Sequence, residues 1–208
     1  MQSLNFKLTE FFLIFIVIPV SFVLDFPVLI KAVIGISGYA YVLYVLLKVE
    51  HNKFKISKSI NWKPFWMQTL IKLIVIALLT ILFVFFTDRN QLFTVVLNKP
   101  LLWLSILFFY SVFSVYPQEL LYRTFYFQRY KDVFKNEKSL IFVNAIVFSL
   151  AHLLFKSPLV ILLTFLGGLL FAFTFYKTKS TLLVSIEHAI YGCWLFTVGM
   201  GDMLGFPS

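Results

Sequence analysis

The chain is 208 residues long and 61% hydrophobic, 20% aromatic and only 13% charged, with a mean hydropathy of +0.92. An average globular chain is about half apolar and roughly a quarter charged, so this composition excludes a soluble domain and places the surplus apolar surface against lipid. The net charge of +9 would suggest nucleic acid in a soluble protein, but in a membrane chain basic residues set orientation, and the single cysteine, Cys193, excludes a disulfide framework and a multi-Cys metal site.

Apolar runs alternate with short charged segments from end to end. They cover roughly residues 11–24, 28–47, 70–86, 101–116, 140–155, 159–176 and 181–199. A spanning helix needs about 20 residues, so several runs must borrow flanking positions. The first run has no cationic segment before it and no small-residue cleavage site after it, and it reads as a span rather than a signal peptide. The expected fold is all-α: a polytopic transmembrane helix bundle of seven spans, or eight if the stretch 101–130 is divided. That stretch would be about 45 Å long as one helix, and Pro117 is the natural place for a break. Residues 1–100 form an N-terminal region of three spans, and 101–208 form a core that carries the polar motifs, together one integral membrane domain.

Orientation follows from Lys and Arg. With the N-terminus in the cytoplasm and seven spans, Lys7, Lys48, Lys53, Lys55, Lys58, Lys63, Arg123, Arg129, Lys131, Lys135, Lys138, Lys177 and Lys179 fall inside, and only Arg89, Lys99 and Lys156 fall outside. Lys31 and Lys72 are expected near span ends, where long stems snorkel to the headgroups. The expected topology is a multi-pass protein with the N-terminus cytoplasmic and the C-terminus outside. The basic charge is thereby explained with no nucleic-acid partner, and the lipid bilayer is the expected surrounding partner.

Ionisable residues within spans cost roughly 2.5 to 3.5 kcal/mol each on insertion scales, which makes them functional candidates. Glu119 follows Pro117 and Gln118 in the long fourth segment, His152 lies in the fifth, and Glu187 and His188 lie in the seventh. Glu187 and His188 are adjacent and point about 100° apart around a helix. Glu119 and Arg123 are four apart and share a helix face, where a lone pair of this kind is commonly structural. A carboxylate with two imidazoles on other helices is a sufficient set to activate water and stabilise an oxyanion, or to bind one divalent metal through Glu119, His152 and His188. Both uses stay open at this level. Glu119, His152 and His188 are expected to converge on a polar cavity, with Arg123 pairing to Glu119.

Gln118-Glu119-Leu120-Leu121-Tyr122-Arg123 resembles the first motif, EExxxR, of the CAAX prenyl protease and bacteriocin-processing family of intramembrane proteases. Phe148-Ser149-Leu150-Ala151-His152 resembles its second motif, FxxxH, and His188 with Gly192 occupies the positions of its third, HxxxN. The resemblance covers about residues 101–196. It implies an intramembrane endopeptidase acting on a hydrophobic, membrane-associated peptide or protein. Glu119 and His152 would activate water, Arg123 would take the arginine place, and His188 would stabilise the tetrahedral oxyanion. No organic cofactor is implied. Two positions depart from the pattern: Gln118 stands at the first glutamate, where an amide cannot take a proton from water, and Gly192 stands at the asparagine, removing an oxyanion donor.

Three rival readings use other features. Gly35-Ile36-Ser37-Gly38 resembles the GxSG of rhomboid proteases, although close helix packing explains small residues in a span equally well. A catalytically degenerate member acting as a membrane scaffold or binding protein would account for Gln118 and Gly192. A transporter would need broken helices in two similar halves, whereas the polar residues cluster in the second half.

Overall fold

The computed structural model describes residues 3–53 and 61–205; Lys55 and Lys58 of the basic loop and the C-terminal Ser208 lie outside the described residues. The described residues are 84% helix, with no strand among them. Among the described residues seven helices are long and apolar enough to cross a membrane: α1 (Leu4–Ser21), α2 (Val28–Val49), α3 (Trp62–Thr87), α5 (Pro100–Tyr130), α6 with its terminal turn (Glu137–Phe155), α7 (Pro158–Thr178) and α8 (Thr181–Val198). A short helix, α4 (Thr94–Asn98), precedes α5. The all-helical choice is forced by lipid, which offers no partner to a backbone N–H or C=O. Together these features describe a multi-pass integral membrane protein.

Helix starts are written locally. Ser3, Asn136, Ser157 and Ser180 are N-caps whose side-chain oxygens accept from the N–H of Phe6, Ser139, Val160 and Leu183. Pro158 follows Ser157 at the first helical position, where a missing N–H costs nothing.

Pro117 does not divide the fourth span. Helix runs from Pro100 to Tyr130, with wide π-helical turns at Tyr110–Val115 and Leu120–Phe125 on either side of the proline. A proline ring crowds the carbonyl four residues back, and a wider turn relieves that clash without ending the helix. The same arrangement occurs in α1, where a π turn at Leu13–Val17 precedes Pro19. Among the described residues the count of candidate spans is therefore seven, with 100–130 as one.

The chain divides into two compact units. The first comprises Met1–Lys55 and Leu120–Lys179, the second Ile56–Glu119 and Ser180–Ser208. In the first, α6 and α7 pack closely. A Cβ added at Gly168 would lie 3.0 Å from the Ala145 Cα, so a hydrogen at 168 is what permits the approach. An aromatic cluster of Phe11, Phe15, Tyr126 and Tyr130 joins α1 to the end of α5. Beside it, Arg129 is buried against Glu10 (2.8 Å) and Glu50 (2.9 Å), while Tyr41 and Tyr130 donate to the Glu10 carboxylate. Arg129 is thus a packed ion-pair residue as well as a terminal charge.

In the second unit α8 packs on α3 and on the first half of α5. Trp194 Nε1 donates to Thr80 Oγ1 (2.9 Å) and Trp103 Nε1 to Thr197 Oγ1 (3.0 Å). Lys72 was expected to snorkel near a span end. Helix α3 instead begins at Trp62, which sets Lys72 well inside it, and its amine pairs with Glu187 at 2.6 Å. Lys31 does sit near a helix start, where its amine donates to the Phe22 carbonyl at the end of α1 (2.8 Å).

Candidate active site

In the second unit, Glu119 ends a short α-helical stretch, Tyr116–Glu119, between the two π turns of α5, and it is fully buried. His188, near the middle of α8, places Nδ1 2.7 Å from Glu119 Oε1. A carboxylate oxygen only accepts, so with Glu119 ionised the proton of this bond resides on Nδ1. Nε2 of His188 is then the basic atom when the ring is neutral and a second N–H donor when it is protonated. Sixty-nine residues separate the two along the chain.

Tyr110 completes the surroundings of His188. It lies two turns and more before Glu119 on α5, and its ring stands edge-on to the His188 imidazole (centroids 6.0 Å apart) and to Phe196 (4.8 Å). Gly192, one turn beyond His188, faces the same ring. A Cβ at position 192 would overlap the Tyr110 hydroxyl and the adjoining ring carbons. The phenol therefore fills the volume in which a side chain at 192 would stand.

Gln118 donates from Nε2 to Ser114 Oγ (2.8 Å), one turn earlier on α5. Its Oε1 is a buried acceptor with no hydrogen-bond partner among the described residues. Cys193 Sγ lies 3.6 Å from Ser111 Oγ and 4.0 Å from the Leu107 carbonyl oxygen.

Arg123 and His152 belong to the first unit. The Arg123 guanidinium is fully buried, donates from Nη1 to Asn144 Oδ1 (2.6 Å) and lies over the Phe148 ring at 4.6 Å. Asn144 turns its amide to donate from Nδ2 to the Tyr122 carbonyl at 2.6 Å, which closes the loop back to the arginine's own neighbour. Sequence reasoning missed Asn144, although a lone amide in the apolar run 140–155 was a readable signal. His152 lies between the α-helical part of α6, Glu137–Leu150, and its terminal turn, at φ −98° and ψ 3°, in the sparsely populated bridge region. Its Nδ1 is 2.8 Å from the Phe148 carbonyl. A carbonyl cannot donate, so Nδ1 carries the proton and a neutral His152 keeps its basic lone pair on Nε2. Its ring packs between those of Phe148 and Phe155.

Within neither unit do three described His, Cys, Asp or Glu side chains group as ligands for a metal ion. The neighbours of Glu187 are Lys72 and Tyr191, whose hydroxyl lies 2.9 Å from Glu187 Oε1; this carboxylate is distinct in its contacts from Glu119.

The family described as type II CAAX prenyl endopeptidase Rce1-like matches residues 100–194 of the chain. The matched segment contains Gln118, Glu119, Arg123, His152, His188 and Gly192, the residues from which the resemblance was read. The match covers the second half of the chain, and the family's description is that of an endopeptidase. No curated protein and no solved structure matches the chain.

Proposed function

We propose that the chain is an intramembrane endopeptidase that hydrolyses a peptide bond in a hydrophobic, membrane-associated substrate, of which a prenylated CAAX-type peptide is the first to test. The observation that carries the reading is the buried 2.7 Å hydrogen bond between Glu119 and His188 within the family-matched segment. A carboxylate held this way has its own orientation fixed by the imidazole, and in a low-dielectric site both groups act more strongly on reacting charge than they would in water.

In this reading a water molecule attacks the scissile carbonyl carbon as Glu119 takes its proton. The carbonyl π electrons move to oxygen, and His188 in its protonated form stabilises that oxyanion. Collapse of the tetrahedral species breaks the C–N bond, and the proton held by Glu119 passes to the leaving amine. The resemblance alone assigns His152 a share in activating the water, and His152→Ala tests that assignment. Gln118 cannot act as the base, and its carbonyl oxygen instead suits accepting a hydrogen bond from water.

The test is cleavage of a fluorogenic farnesyl-cysteine peptide by the protein in proteoliposomes. Glu119→Gln, His188→Ala and His152→Ala are expected to abolish cutting, and a divalent-metal chelator is expected to leave the wild type unaffected. Chelator-sensitive cleavage would replace the proton mechanism with a metal-assisted one. Full activity in Glu119→Gln would overturn the reading.

A further inference from the structure

Position 192 is where the resemblance places an asparagine that donates to the oxyanion, and here it is glycine. The structure shows what occupies that volume: the phenol of Tyr110, reaching across from α5 so closely that no Cβ at 192 is compatible with it. The hydroxyl is thus presented at position 192, one helical turn from His188, on a ring in T-shaped contact with both His188 and Phe196. A tyrosine hydroxyl is a competent donor to a developing oxyanion, and a ring fixed by packing costs little reorganisation at the moment of reaction.

We propose that Tyr110 is a catalytic residue that replaces the missing asparagine as hydrogen-bond donor to the tetrahedral oxyanion, with Gly192 as the vacancy that admits it. The inference rests on the protease reading and deepens it. The two positions form one exchangeable unit: glycine with tyrosine, or asparagine with a small residue, but not asparagine with tyrosine.

The experiment measures kcat and KM on the farnesyl-cysteine peptide for Tyr110→Phe, Tyr110→Ala, Gly192→Asn and the double variant Tyr110→Ala/Gly192→Asn, with Glu119→Gln alongside. Binding of the corresponding peptide aldehyde, whose hydrate mimics the tetrahedral species, is measured on the same samples. Tyr110→Phe keeps the ring and loses only the hydroxyl, so kcat is expected to fall about a hundred- to a thousand-fold with KM nearly unchanged and with weakened aldehyde binding. The double variant is expected to recover much of what Tyr110→Ala loses. If Tyr110→Phe cuts and binds as the wild type does while Glu119→Gln is inactive, the hydroxyl is a packing group and this inference alone falls. If Glu119→Gln retains full activity, or the wild type neither cuts the peptide nor binds the aldehyde, the protease reading falls and this inference with it. Failure of Gly192→Asn to fold does not affect the outcome, because Tyr110→Phe introduces no atom.

Discussion

Lys72 Nζ stands 2.6 Å from Glu187 Oε1, an ion pair set well inside α3 and α8, with the carboxylate fully buried and the lysine side chain 26% exposed. Tyr191, one turn after Glu187, brings its hydroxyl to 2.9 Å from the same oxygen and 3.2 Å from the Thr69 carbonyl. The pair fastens α8 to α3, and α8 is the helix that carries His188. Removing one partner from a buried pair strands the other, at a cost of about 3 to 5 kcal/mol, whereas removing both is far milder. Lys72→Met and Glu187→Leu are therefore each expected to lower thermal stability in detergent, and the double variant to lose much less than their sum. Strict additivity would mean that the pair contributes no coupling.

The Arg123–Asn144 contact yields a test of geometry rather than charge. Asn144 accepts from the guanidinium and donates to the Tyr122 carbonyl, both at 2.6 Å, so its two amide atoms have opposite duties. Asn144→Asp supplies a formal counter-charge yet sets a carboxylate oxygen against a carbonyl. It is expected to be less stable than wild type, and Arg123→Lys is expected to lose stability as well, since an ammonium cannot lie flat on Phe148. Thermal unfolding of both variants checks this; an Asn144→Asp protein more stable than wild type would show that charge outweighs the lost donor.

Seven spans were legible because a 20-residue apolar run has few other uses, and the hydropathy of each run survives any error in its ends. Whether Pro117 divides the fourth span stays open in the sequence, because a proline signals a lost N–H without revealing that a π turn absorbs it. Lys72 was misplaced by the start of α3: Lys63, Pro64 and Gln68 interrupt the apolar pattern across the ten residues of helix before it. Motif spacing singled out Glu119 and His188 as costly residues, but a bond across 69 residues is a fact of packing, which local periodicity does not encode. The filling of the Gly192 vacancy was equally hidden, because nothing near Tyr110 in the sequence distinguishes it from the other nine tyrosines.

The two adjacent glycines of α7 are expected to respond in opposite senses. Alanine gains roughly 1 kcal/mol over glycine in a helix interior. At Gly167 the added Cβ meets only the end of the Phe171 ring at 3.2 Å, which a small rotation relieves, so Gly167→Ala is expected to be neutral or stabilising. At Gly168 it meets the Ala145 Cα at 3.0 Å and the Ala145 carbonyl oxygen at 3.3 Å, main-chain atoms that move only with the whole of α6. Overpacking of this kind costs about 1 to 3 kcal/mol, more than the helix gain, so Gly168→Ala is expected to unfold at a lower temperature. Equal behaviour of the two variants would mean that α6 and α7 separate freely.

Topology is the broadest prediction, and contacts within the first unit bear on it independently of charge. Lys7 donates to the Arg129 carbonyl, Gln128 donates to the Glu50 carbonyl, and Arg129 bridges Glu10 and Glu50. The start of α1, the end of α2 and the end of α5 therefore lie together. Chain alternation through successive spans requires those three ends to share one side of the membrane, and a miscounted span before α5 would have separated them. At the opposite ends, Lys31 reaches the Phe22 carbonyl, and Lys156 approaches Asp25 at 3.9 Å, so the α1–α2 connection and the end of the fifth span also share a side. The basic residues then choose between the two orientations. By the sequence reading, thirteen basic residues are expected in the segments on the N-terminal side of the membrane and three in the opposite segments, and such an excess is expected to mark the cytoplasm. With seven spans, a reporter active only outside the cytoplasm is expected to work when fused after Ser208, and one fused before Lys7 is expected to be silent. Cytoplasmic activity at both termini would remove one span from the count, and the reverse pattern at both would overturn the charge argument while leaving the arrangement of helix ends intact.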